Sequence, residues 1–216
     1  MSASNLALKL VEDQRISRKL LIESDPNRET NPFIRRYKRE SLGRVMKAIE
    51  RLRMAEEYGI PTMIGCLYLK HHLNDGDIID YGLVSTKLVT TAGVNFLVDA
   101  FQNIVELETM RYHGIGTTNT AENAADTALA AELSTVYNPD NTRATGTLAE
   151  GASANIYRTV GTNSVDGSAT IVEHGVFSQA ATGGGTLLDR SVFGGIGLTS
   201  GNSLQSTYEL TLASGG

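Results

Sequence analysis

The side chains best suited to acid–base work are His113 and His174, in the segments YHGIG and VEHGVF. An imidazole titrates near neutral pH and can serve with a serine and a carboxylate in acyl transfer. The chain has no G-x-S-x-G turn to hold a serine on a strained elbow, so a Ser-His-Asp set exists only on paper. Both histidines are accordingly expected to be structural or surface residues. His71 and His72 adjoin Asp75, Asp77 and Asp80, a grouping with metal-ligand chemistry. Neighbouring residues on a strand point to opposite faces, however, and D-G-D-I-I-D misses the spacing of an EF-hand loop. A hairpin turn explains NDGD equally well. The single cysteine, Cys66, allows neither an internal disulfide nor a Cys-based zinc cluster.

Phosphate cradles fare no better. GIGTTN has only the first two glycines of a dinucleotide fingerprint, GGIGLTSG lacks a following helix, and neither offers a P-loop lysine. Glu106 and Glu108 share a face at i, i+2, but a chain without tryptophan has little with which to line a sugar cleft. No catalytic, cofactor-binding or metal-binding residue is assigned on these grounds, and no cofactor is expected.

The strongest charged grouping is IRRYKR, with Arg35, Arg36, Lys38 and Arg39 around Tyr37. It is followed by Arg44, Lys47 and Arg51 on the outer face of an expected helix. These residues, Lys47 aside, are the candidate partner contacts. Residues 1–72 hold 14 Lys plus Arg against 9 Asp plus Glu, while the remaining 144 residues hold 5 against 15. A basic stretch beside an aromatic could track a phosphate backbone. Its short extent and the acidic bulk of the chain favour a protein-contacting face, so nucleic acid is not the expected partner.

Several kinds of element must position these groups. Good helix formers over 5–23 predict a first helix, and SDPNRETNP over 24–32 reads as an extended linker. ESLGRVMKAIERLRMAEEYG places Leu42, Val45, Met46, Ile49 and Leu52 on one helical face, with Gly59 and Pro61 past its end. From residue 63 the texture changes to short β-branched and aromatic runs. MIGCLYLKHH and YGLVSTKLVT around LNDGD predict a hairpin. TTAGVNFLVDAFQN predicts a short helix over 91–103, capped by Thr90 or Thr91 and packed on the sheet through Val94, Leu97, Val98 and Phe101. Asp126 is placed as a cap for a second short helix, TALAAEL.

Further strands are expected near 107–116 and in STVYN, RATGTL, NIYRTVG, ATIVEHGVF, TLLDRSVF and SLQSTYELTLA, with AATGGG as a hairpin break. In the last, Leu204, Tyr208, Leu210 and Leu212 face one way. The fold class is therefore mainly β: a C-terminal jelly-roll-like β-sandwich over 63–216 behind an N-terminal helical arm over 1–62. No stretch approaches the roughly 20 apolar residues of a membrane span, and Glu12 and Asp13 interrupt LALKLV before it could serve as a signal-peptide core. A soluble chain made in a cytoplasm is expected.

Residues 83–213 resemble a group of small virion proteins of tailed bacteriophages and prophages. The resemblance rests on Gly114 and Gly116 before D-T-A-L at 126–129, on E-x-G-V-F from Glu173 to Phe177, on Leu187 to Phe193, and on Gly201 to Tyr208. For residues 1–62 there is none. It implies a non-enzymatic virion structural protein, a homo-oligomer for which a trimer is expected. Arg190 and Glu173 are then expected to pair across the sheet. Two positions follow: a capsid decoration (cement) protein whose arm binds the major capsid protein, or a tail component, either a fibre-anchoring adaptor or a short receptor-binding fibre. Small size and the lack of a repetitive shaft favour decoration. An enzyme acting on cell-wall polymers, using His113 or His174, is the third class.

Overall fold

The computed structural model describes residues 20–213 apart from Leu88 and Pro139. The chain divides into two compact units, 1–62 with 212–216, and 63–211.

In the first unit, residues 20–24 are helical; the rest of the helix expected over 5–23 lies outside the described residues. The expected extended linker is instead a compact turn. Asp25 accepts from the Asn27 amide at 2.9 Å and opens a 3-10 turn, Pro26–Arg28, in which Pro26 is buried. An Asp side chain and a proline with preset φ favour such a turn over an extended path. Asn31 then caps helix α1 (Pro32–Glu57), its side chain accepting from Phe33 N at 2.9 Å. Asn at the cap and Pro at the first helical position start the helix at Pro32 rather than Glu40, so IRRYKR is helical.

The buried stripe of α1 runs through Ile34, Tyr37, Ser41, Val45, Ile49 and Leu52. Of the expected face, Val45, Ile49 and Leu52 are buried, whereas Met46 is exposed and lines a shallow groove with Leu42, Leu21 and Pro26. Gly59, at φ 64°, ends the helix, and Ile60 N donates back to Ala55 O at 2.8 Å.

The second unit is mainly β, as the alternation and turn signals require. One antiparallel sheet has the order β2-β1-β10-β7-β4, with β6 also paired to β7; the other has the order β5-β3-β8-β9. The strands are β1 (Thr62–His72), β2 (Ile78–Lys87), β3 (Tyr112–Gly116), β4 (Tyr137–Asn138), β5 (Ala144–Thr145), β6 (Thr147–Glu150), β7 (Ile156–Val165), β8 (Ala169–Phe177), β9 (Leu187–Leu198) and β10 (Ser203–Ala213). β2 lies against β9, and β3 and β5 against β7, so the two sheets form a sandwich.

Two hairpins follow their turn residues. β1 and β2 pair around the NDGD turn, closed by Leu73 N to Asp77 O at 2.8 Å. β8 and β9 pair around AATGGG, where Gly183 and Gly185 take φ near 74° and 75°, the left-handed region that glycine enters without strain.

Helix α2 (Thr91–Phe101) is capped by Thr90, whose hydroxyl accepts from Gly93 N at 2.9 Å. Its packing face differs from expectation. Gly93 and Phe96 are buried and Leu97 of the expected face is half-buried, while Val94, Val98 and Phe101 are exposed. A Cβ on Gly93 would lie 2.6 Å from the Leu188 carbonyl oxygen, so this small residue lets α2 approach β9 closely. Phe96 joins Val89, Met110, Val176, Leu188, Tyr208 and Leu210 in one core cluster.

Candidate functional site

The seven candidate contact residues do not share one surface. Arg35 turns back, its Nε and Nη2 donating to Glu29 O at 2.9 and 2.7 Å, and Lys38 pairs with Glu29 at 3.5 Å. Glu29 is held below the usual carboxylate range, chiefly by the Asn31 amide and, against the effect of burial, by Lys38. Tyr37 is 5% exposed and belongs to the buried stripe. Arg44 is half-buried. Arg36, paired with Glu40 at 3.2 Å, Arg39 and Arg51 remain exposed. A helix beginning at Pro32 spreads consecutive residues around its axis, so RRYKR cannot act as one patch.

The histidines are brought together, but inside the sandwich. His113 on β3 and His174 on β8 are both fully buried, with Nδ1 of the first 2.9 Å from Nε2 of the second. His113 Nε2 lies 3.1 Å from the Thr159 hydroxyl on β7. His174 Nδ1 has no hydrogen-bond partner among the described residues. A buried lone pair left over costs less than a buried N–H left over, so we assign the chain of donation as His174 to His113 to Thr159. Burial lowers the His113 pKa to about 3; burial, and then His113 itself, lower that of His174. The sandwich interior also holds Asp189 and Ser191 from β9 and Tyr208 from β10 of the facing sheet, with the Ser191 hydroxyl donating to Asp189 at 3.1 Å. Burial, and next Asp189, push the Tyr208 phenol well up. This polar seam orders the two sheets against each other.

The outer face of the four-stranded sheet is covered by residues 117–133. Arg190 reaches out of β9 and donates through Nε to Glu173 at 2.9 Å, through Nη1 to Asp126 at 3.0 Å and through Nη2 to Thr120 O at 3.1 Å. Glu173 also accepts from Ala130 N and Ala131 N at 3.1 and 2.8 Å. Burial opposes the charge of Arg190, and Glu173 and Asp126 outweigh it and raise its pKa. The expected Arg190–Glu173 pair is thus present as the centre of a larger clamp. Asp126 caps no helix: residues 121–133 are irregular backbone and turns, with Glu132 bridged to Gly116, and the Asp126 carboxylate accepts from Asn123 N at 2.9 Å as well as from Arg190. The charge of Arg190 outcompetes a weak local helix signal.

A second arginine does similar work. Arg143 donates to both oxygens of Glu132, the longer bond 2.8 Å, and to the carbonyls of Gln179 and Gly184 at 3.0 and 2.7 Å. Its guanidinium stacks on Phe177, 3.4 Å from the ring centre. The GGG hairpin is therefore gripped from below. The glycines mark where the loop lies on the sheet: a Cβ at Gly116 would stand 2.4 Å from Glu173 Oε1, and one at Gly114 2.9 Å from Phe177. LLDRSVF, with two charges inside an apolar run, was a legible sign of buried ion pairing. Arg143 in TRATG carried no such sign.

The other candidates separate. His71 is buried and bonds Asn202 at 2.8 Å, Asp80 pairs with Lys70 at 3.4 Å, and Asp75 and Asp77 stay in the exposed turn. Among the described residues no group of three or more His, Cys, Asp or Glu could hold a metal ion. No described helix is long and apolar enough to cross a membrane. Glu106 and Glu108 are both exposed around a 3-10 turn, Leu107–Thr109. No protein-family model and no curated protein matches this chain.

Proposed function

We propose that this chain is a non-enzymatic structural protein of a tailed-phage virion, positioned as a capsid decoration or cement protein. The observation that carries the reading is the clamp. Residues that resemble those virion proteins, scattered from Gly114 to Phe193, converge on the Arg190–Glu173–Asp126 group and the glycines beneath it. A motif spent on fastening a loop to a sheet suits a protein selected for a rigid surface. The charge split supports a contact role: residues 1–62 carry 13 Lys plus Arg against 9 acids, and residues 63–211 carry 6 against 15. On this reading the basic unit docks on the major capsid protein, the chain is made in the host cytoplasm and ends in the virion, and weak contacts are multiplied by copy number.

The test is incorporation. Particles lacking the protein are mixed with purified full-length chain, either native or carrying Arg36→Glu, Arg39→Glu and Arg51→Glu together. The native chain is expected to bind and the reversed one to bind at least about tenfold more weakly, since several exposed charges change sign. Equal binding by both would remove the basic helix from the interface.

A further inference from the structure

α2 presents outward the apolar stripe that sequence alone would bury. Val94, Val98 and Phe101, at i, i+4 and i+7, are 36%, 47% and 82% exposed, and Ile104 and Leu107 continue the surface. No Lys or Arg occurs between Lys87 and Arg111, whereas Asp99, Glu106 and Glu108 do. An exposed apolar run of this extent is an interaction surface rather than scattered noise. Its acidic fringe argues against a two-fold contact with itself, which would set like charge on like charge. The fitting partner is apolar with basic flanks.

The first unit carries such a surface. Lys47, Arg51 and Met54, at i, i+4 and i+7, are exposed on the side of α1 away from its buried stripe, and Tyr58, in the turn just past the helix, is exposed as well. Gly43 lies on the same side, one turn earlier, and a Cβ there would meet no atom within 4 Å. Glycine weakens a helix relative to alanine, and nothing among the described residues fills that space. An aromatic side chain from another molecule would.

We infer that copies of this chain associate head to tail, the Phe101 face of α2 in one copy seating on the Gly43–Met54 face of α1 in the next. The contact is heterologous, so it closes into a ring or continues as a filament. It does not rest on the virion reading, because it is a property of the purified chain.

The experiment is sedimentation of the full-length protein over a range of concentration and salt, with Phe101→Asp, Met54→Asp and the double variant. The native chain is expected to self-associate, less so as salt is added. Each single variant is expected to lose association by roughly tenfold or more. An equimolar mixture of the two single variants still contains one intact head and one intact tail, so it should form one-to-one heterodimers and nothing larger. The double variant should stay monomeric. Rescue by mixing also shows that both single variants are folded. A monomeric native chain, native-like association by either single variant, or a mixture that fails to associate overturns the inference; native-like association by Met54→Asp alone points to an α2-to-α2 contact.

Discussion

At the pair His113 and His174, 2.9 Å apart and sealed between two sheets, an added proton finds no solvent to share its charge. Both groups are neutral in the folded chain, while in the unfolded chain they titrate near 6.5. The folded values are depressed, so the unfolded chain binds more protons in between, and stability rises with pH there. Their contribution is full above about pH 6.5 and is lost progressively as the pH falls, for His113 toward its folded value of about 3. Urea unfolding at pH 7 and pH 5 should differ by roughly 2 kcal/mol for each imidazole that stays neutral. His174→Gln should reduce that difference; an unchanged difference would show that the pair is not its source. Gly161 tests the packing around the same ring. A Cβ there would lie 2.4 Å from His113 Cδ2, so Gly161→Ala is expected to cost about 1–3 kcal/mol in the same assay.

At the scale of elements, the clamp should decide whether residues 117–133 hold to the sheet. Arg190 and Glu173 are 2% and 0% exposed, and removing one partner leaves the other charge buried. Glu173→Ala is therefore expected to destabilise the second unit by about 3–5 kcal/mol. It should also release the amides of Ala130 and Ala131 to fast hydrogen exchange; retained protection would mean that the loop is held by other bonds. The hairpins and the Thr90 cap were legible because turn residues and caps act locally, whereas the Arg190–Glu173 pair was expected only through the resemblance. The packing face of α2 was not: an apolar helix offers two stripes, and only the close approach at Gly93 selects between them. RRYKR failed for the complementary reason, since Asn31 and Pro32 extend the helix back through it and send Tyr37 inward.

At the scale of the whole molecule, a basic unit and an acidic one are, on the proposed reading, surfaces for repeated contacts, with a capsid lattice or with further copies. The charge asymmetry was visible in the sequence, but its surfaces were not, because Arg35, Arg36 and Lys38 are bonded within their own unit and Tyr37 is buried in it. The most direct measurement is the copy number of the chain in purified virions, by quantitative mass spectrometry against the major capsid protein. A ratio near one is expected of a decoration protein. A few copies per particle would move the chain to the tail, and its absence from the particle would contradict the account.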